Sequence, residues 1–123
     1  MATITKRALQ PAAASAEVTN VNVGATSSAG TAIHEGSSNT SHYDEVWLWA
    51  TNIHTSTQTL TLEWGGETLA LDHFRTTINP NETVLVAPGW LLKGASTELI
   101  VKAFTTDANK VNITGYVNRI DQS

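Results

Sequence analysis

The stretch from Asp44 to Gly66, DEVWLWATNIHTSTQTLTLEWGG, carries three of the four tryptophans of the chain. Side chains two positions apart on a β-strand lie on the same face, so Trp47 and Trp49 share one face of the strand that they occupy. The opposite face is filled by apolar residues: Val46, Leu48 and Ala50. A strand that is apolar on both faces is covered on both faces. The sequence therefore predicts two covering layers for this strand.

One layer is the second sheet of the protein itself, and the cover of the tryptophan face has three possible sources. The first is another part of the same chain, which makes Trp47 and Trp49 core residues. The second is a neighbouring subunit, which makes them interface residues. The third is a sugar ring stacked on an exposed indole. The neighbours on the same strand face, Glu45 and Thr51, offer few planar polar groups to a sugar, so a protein cover is favoured.

The second half of the stretch predicts a strand with one buried face. Leu60, Leu62 and Trp64 alternate with polar residues, after the turn-forming residues HTSTQ. Period-two alternation recurs in the segments EVTNVNV, ELIVKAFTT and VNITGYVNRI, and ELIVKAF is apolar on both faces, like the strand that carries Trp47. The predicted core consists of the apolar residues on the inward faces of these strands: Val46, Leu48, Leu60, Leu62, Trp64, Leu99, Val101, Val111, Ile113 and Val117.

Turn signals separate about eight predicted strands, and no segment has a helical period of 3.6 residues. LALDHFRTTI (69–78) is predicted as one strand, and TVLVAP (83–88) and GWLLKGAST (89–97) as two consecutive segments. The pattern predicts an all-β protein with a single antiparallel β-sandwich, jelly-roll-like. Its length of 123 residues suits one domain.

Residues 1–16 differ in composition from the rest, which is typical of a loosely ordered terminus or of an extended arm that orders against another subunit. We predict the extended N-terminal arm, followed by a β-sandwich domain over residues 17–123. The apolar residues of this arm are its candidate anchors on another subunit: Ile4, Leu9 and Pro11. An arm of this kind can add a strand to a neighbouring sheet.

Composition argues against several classes of function. The net charge is −4, and the seven Lys and Arg residues are scattered, whereas nucleic-acid binders carry a basic patch. No apolar run is long enough for a signal peptide or a membrane span, so we expect synthesis in the cytoplasm and no membrane partner. The chain has no cysteine and needs no disulfide at this length.

Catalytic patterns are weak. The residues of the segment HEGSSNTSHYDE that could bind a metal, His34, Glu35, His42, Asp44 and Glu45, follow no known ligand spacing. Asp72 and His73 are adjacent, so on a strand their side chains would point to opposite faces. We therefore expect no enzyme activity, no cofactor and no small-molecule substrate.

Four segments together resemble one family. EVWLWATN (45–52), TLTLEWGG (59–66), APGWLLKG (87–94) and LIVKAFTTDANKVNITGYVNRI (99–120) are similar in order and spacing to small tailed-phage virion proteins, over about residues 43–120. The motifs are structural and not catalytic.

The resemblance implies a capsid decoration, or cement, protein that stabilises the head lattice at the capsid surface. Its implied partners are the major capsid protein and copies of itself, as a homotrimer. The candidate contacts come from strand-face packing and composition and not from the family: Trp47, Trp49 and the N-terminal arm. A tail or neck component is the nearest alternative. A carbohydrate-binding or host-adsorption module using Trp47, Trp49 or Trp90 is the alternative of a different class.

Overall fold

A computed structural model describes residues 2–12 and 15–122 of the protein. Within them, the chain forms nine strands and one short helical turn. The strands are β1 (Thr3–Arg7), β2 (Asn20–Asn22), β3 (Thr31–Glu35), β4 (His42–Asn52), β5 (Gln58–Trp64), β6 (His73–Ile78), β7 (Thr83–Lys93), β8 (Ile100–Thr105) and β9 (Val111–Asp121), and the turn is α1 (Leu69–Asp72).

The strands form two sheets in which every pairing is antiparallel. We call the first the front sheet; its order is β1-β9-β4-β7, and β2 also pairs with β9. The second, the back sheet, has the order β3-β8-β5-β6. This arrangement confirms the predicted all-β sandwich, with nine strands in place of about eight. No helix in the described part of the chain is long and apolar enough to cross a membrane.

Strand β4 shows why the two sheets pack together. Every second residue from Asp44 to Asn52 is buried, and the residues between them are partly exposed. The inward apolar residues of β4 belong to one core cluster with buried residues of β5 and β8. Fully or almost fully buried apolar residues make up the core: Leu9, Val23, Ile33, Val46, Leu48, Ala50, Leu60, Leu62, Ile78, Val86, Ala87, Leu92, Val101, Ala103, Val111, Ile113 and Val117.

Strand β7 differs from the sequence prediction, because the chain continues through Pro88 and Gly89 as one strand of 11 residues. Its pairing with β4 shifts register twice, so that β7 has two more residues than its partner over this length. Such bulges let a strand pass a proline at a sheet edge, where the missing N–H needs no partner.

The segment 69–78, predicted as one strand, divides at Asp72. Leu69–Asp72 forms a helical turn, and the strand begins only at His73. The Thr68 backbone N–H donates to the Asp72 carboxylate at 3.0 Å, which holds the turn. The prediction of one strand over residues 69–78 was wrong, because the alternation of residues does not indicate a hydrogen bond between a side chain and the backbone.

The N-terminal residues pair within their own chain. Strand β1 pairs with β9 from Thr3↔Asp121 to Arg7↔Val117. Beyond β1 the chain enters the core, where Leu9 has no exposed surface and bridges to Val18. To serve a neighbouring subunit as an exchanged arm, this segment would have to leave these contacts.

Candidate binding surfaces

The outer side of the front sheet carries a cluster of three aromatic rings, which we call the sheet face: Trp47, Trp49 and Tyr116. Pairing of β4 with β9 sets Trp47 directly opposite Tyr116. The three ring centroids are 6.1 to 6.4 Å apart, and their planes differ by 15° to 31°. In a single column the outer two rings would be about twice as far apart, so the rings form a compact triangle. All three remain partly exposed.

Polar groups surround the sheet face. Trp47 Nε1 donates to Glu45 Oε1 at 2.8 Å, and the Asn118 amide donates to the same oxygen at 3.1 Å. The hydrogen bond from Trp47 is the main reason why the pKa of Glu45 lies below its ordinary value. Lys6 Nζ lies 4.5 Å from the ring centroid of Tyr116, a cation–π distance.

Gly89 provides the space into which the Trp47 indole fits. A Cβ at this position would lie 2.9 Å from Cζ2 and 3.0 Å from Cε2 of the indole. Gly89 also has a φ of +74°, which favours glycine. The bulged course of β7 and the placement of Trp47 therefore depend on the same residue.

A polar groove continues the sheet face beyond Trp49. Its volume is about 480 Å³, and it is lined by uncharged residues of β2, β4 and β9: Asn20, Asn22, Thr51, Asn112 and Thr114. Trp49 lies directly opposite Thr114, and Thr51 lies opposite Asn112. The aromatic cluster and the groove are therefore contiguous.

A second aromatic site, which we call the edge cleft, lies where the outer edges of the two sheets meet. It is lined by Trp64, Phe74, Trp90 and Leu91 and has a volume of about 330 Å³. The rings of Trp64 and Trp90 meet edge to face, with centroids 5.3 Å apart. Trp64 Nε1 donates to the backbone oxygen of Leu91 at 2.8 Å, which leaves an apolar lining.

Four exposed apolar side chains lie on β6, on β7 and on the helical turn before β6, and two of them line the edge cleft. Phe74 is 43% exposed and Leu91 57% exposed. Leu69 and Leu71, on the helical turn just before β6, are 64% and 75% exposed. These four are the majority of the seven large hydrophobic side chains that are exposed in the described part of the chain.

A buried ionic cluster connects the two sheets and the N-terminal segment. Asp44 accepts two hydrogen bonds from Arg119, at 2.7 and 2.9 Å, and one from His34 Nε2 at 2.8 Å. His34 Nδ1 accepts the backbone N–H of Gln10 at 3.2 Å. Burial raises the pKa of Asp44, but the hydrogen bonds from Arg119 and His34 outweigh it and lower the pKa to about 2.

Glu63 is a second buried carboxylate, on the outer side of the back sheet. It accepts hydrogen bonds from Ser28 Oγ, the Gly30 backbone N–H and His73 Nε2. Burial opposes ionisation, but these three donors together hold the pKa of Glu63 below its ordinary value. His73 Nδ1 is buried and has no hydrogen-bond partner among the described residues. The carboxylate lies between the hydroxyl and the imidazole, so the three groups do not form a nucleophile–base pair.

The residues considered as metal ligands do not come together in one site. His34 contacts Asp44, His42 lies near Asp121, and Glu45 belongs to the sheet face. Across the described ranges, no three His, Cys, Asp or Glu side chains are arranged to hold a metal ion.

The candidate interface residues lie in different environments. Ile4 is 69% exposed, Leu9 is fully buried in its own chain, and Pro11 is half-buried. Trp47 and Trp49 lie on the sheet face. Of the candidate core residues, Trp64 and Leu99 are partly buried against the core, and the others are buried: Val46, Leu48, Leu60, Leu62, Val101, Val111, Ile113 and Val117.

Sequence reasoning missed Tyr116, Phe74 and the groove asparagines. Alternation along VNITGYVNRI could have indicated them in part, because it places Asn112 and Tyr116 on the same outward face of the strand. Only the pairing of β9 with β4 brings that face to the tryptophans.

Comparison of the chain with protein-family models, with curated proteins and with solved structures finds no match in any of the three.

Proposed function

We propose that this protein is a structural component of a tailed-phage virion, a capsid decoration protein that acts through surface contacts. The ground for this class is the resemblance of the motifs within residues 43–120 to those of small virion proteins. The edge cleft is the observation that supports the mode of action, because its lining is apolar and leaves Phe74 and Leu91 exposed. Its partners in this proposal are the major capsid protein and copies of the protein itself, as a homotrimer.

The proposal includes a jelly-roll topology. With β1 set aside, the orders β2-β9-β4-β7 and β3-β8-β5-β6 suit eight strands that make two Greek keys. Strands β1 and β2 then lie one after the other along the same edge of β9. Jelly rolls form viral capsid domains and also lectin domains, so the topology supports a virion role without excluding a glycan-binding one.

The edge cleft suits an apolar side chain of a neighbouring subunit. Its four lining residues carry no charge, so contact with another apolar surface removes apolar area from water. Strand β7 borders the cleft, but Pro88 and the two bulges make it a poor template for an added strand. Side chains inserted into the cleft, and not strand addition at β7, therefore make the contact.

The copy number of this chain in purified particles tests the proposal. We expect many copies, in proportion to the major capsid protein, by quantitative mass spectrometry of particles of the phage that encodes it. A few copies per particle would indicate a tail or neck component instead. Absence from particles would overturn the proposal.

A matched pair of variants tests the edge cleft. Leu91→Ser should weaken association with particles that lack the protein, whereas Ile53→Ser should not. The two side chains are exposed to a similar extent, 57% for Leu91 and 53% for Ile53. Leu91 of β7 pairs with Glu45 near the start of β4, whereas Ile53 directly follows the end of β4. Equal binding by both variants would show that the cleft is not the contact.

A further inference from the structure

The polar groove beside Trp49 has the composition of a site for an uncharged, hydroxyl-rich ligand. None of its five lining residues carries a charge, so the groove offers nothing to balance an ionic ligand. Three carboxamides and two hydroxyls supply both hydrogen-bond donors and acceptors. The volume of about 480 Å³ lies within the usual range for small-molecule sites.

Hydrogen bonds within the groove orient its side chains and leave free polar atoms. Asn22 Nδ2 donates to Asn112 Oδ1 at 2.7 Å, and the other amide atom of each residue has no hydrogen bond to the described residues. Thr114 Oγ1 donates to the Thr19 backbone oxygen at 3.0 Å and keeps its capacity to accept. The Asn20 amide has no hydrogen bond within the described ranges and is exposed. Asn22, Asn112 and Thr114, which these hydrogen bonds hold, lose little further entropy when a ligand binds.

An aromatic side chain lies next to the groove. Trp49 does not line the groove itself but is paired with the lining residue Thr114, and its indole is partly exposed. An indole gains dispersion energy from an apolar C–H face, while neighbouring amides bind hydroxyl groups. Pyranose sugars combine such a face with a ring of hydroxyls, and uncharged sugars match the absence of charge.

We propose that the groove and Trp49 together bind a neutral oligosaccharide. One sugar ring stacks on Trp49, and the hydroxyls of the next sugar bond to Asn112, Asn22 and Asn20. This site lies on the outer side of the front sheet, apart from the edge cleft, so it does not depend on the proposed virion function. It gives the protein a second binding activity, directed at glycan and not at protein.

Binding to a glycan array tests the proposal, with arrays that contain neutral, sialylated and sulfated oligosaccharides. Neutral glycans that bind are then titrated in solution, with tryptophan fluorescence and calorimetry as readouts. We expect millimolar to micromolar binding with a change in tryptophan emission. Preference for sialylated or sulfated glycans, or no binding of neutral glycans at millimolar concentration, would overturn the proposal.

Two asparagines on the same strand face provide a matched control. Asn112 lies in the groove, whereas Asn118 bonds to Glu45 at the other end of the sheet face. Asn112→Ala should weaken glycan binding about tenfold or more, as expected for a lost polar contact of about 1.4 kcal/mol, and Asn118→Ala should not. Equal affinity of the two variants would overturn the assignment.

Trp49→Phe keeps an aromatic ring and tests the stacking contact. We expect weaker binding and loss of most of the change in emission, while circular dichroism keeps the β signature. If light scattering shows that the wild-type protein self-associates and that both Asn112→Ala and Trp49→Phe abolish this without affecting glycan binding, the occupant is a second copy and the proposal is wrong.

Discussion

The four tryptophans of the chain lie in two environments that differ in their polar neighbours. Trp47 and Trp49 on the sheet face have Glu45, Asn118 and Lys6 around them, and their rings are nearly parallel. In the edge cleft, the Trp64 and Trp90 rings meet at 77°, and the cleft has an apolar lining.

The difference shows why aromatic content alone does not identify a binding surface. The Trp47 N–H bonds to a side chain that remains near water, so the sheet face can stay partly hydrated. The Trp64 N–H bonds to a backbone oxygen, and the lining that remains gains most from contact with another apolar surface. The sheet face therefore suits a hydroxyl-rich ligand, and the edge cleft suits protein.

The largest expected effect is a loss of stability, and it differs between the edge cleft and the sheet face. Trp64→Ala should lower the free energy of unfolding by about 3–5 kcal/mol, because it leaves a cavity against the core. Trp49→Ala should cost about 1–2 kcal/mol, since the ring lies outside the core. Urea denaturation measures both. Equal losses would mean that the sheet face is as much a part of the core as the edge cleft.

Alanine substitutions at two glycines with positive φ separate the cost of backbone strain from the cost of a clash with the Trp47 ring. Gly89 has a φ of +74° and Gly65 of +77°, so alanine costs each about 1–2 kcal/mol of backbone strain. A Cβ at Gly89 also collides with the indole, whereas at Gly65 its nearest neighbour is 3.5 Å away. Gly89→Ala should therefore be destabilising by about 1–2 kcal/mol more in denaturation and should change the near-ultraviolet circular dichroism. Similar losses for both would show that the indole can move freely.

Acid should weaken the sandwich beneath the sheet face. The pKa of Asp44 is about 2 in the folded protein, below its ordinary value of 3.8. On acidification the unfolded chain takes up this proton first, so the stabilisation is complete above about pH 4 and is lost as the pH falls through 2. The loss is about 2 kcal/mol, measured by denaturation at successive pH values. Arg119→Gln should reduce this dependence, and an unchanged profile would contradict the role of the pair.

The smallest expected effect on stability belongs to the surface of the edge cleft. Leu91 is 57% exposed, so Leu91→Ser should change the free energy of unfolding by no more than about 0.5 kcal/mol. Thermal denaturation followed by circular dichroism measures this change. A larger loss would mean that weaker particle association of this variant reflects folding and not contact.

The alternating strands could be predicted because their cause is local. Leu60 and Leu62 face the core as expected, and so do Val111, Ile113 and Val117. The helical turn at Leu69–Asp72 and the bulges of β7 were missed, because a side-chain-to-backbone hydrogen bond and a register shift do not follow from period-two alternation. Leu9 was expected as an anchor on another subunit, but the structure buries it in its own core.

The sequence by itself determined which residues share a strand face, because alternation follows from backbone geometry. It therefore separated Trp47 and Trp49 from Val46 and Leu48. Only the tertiary structure decided what lies beside each face. Pairing of β4 with β9, whose residues are far apart in the chain, brings Tyr116 to Trp47 and Asn112 to Thr51. Because these contacts depend on strand order and register, the groove, the sheet face and the edge cleft appear only in the folded chain.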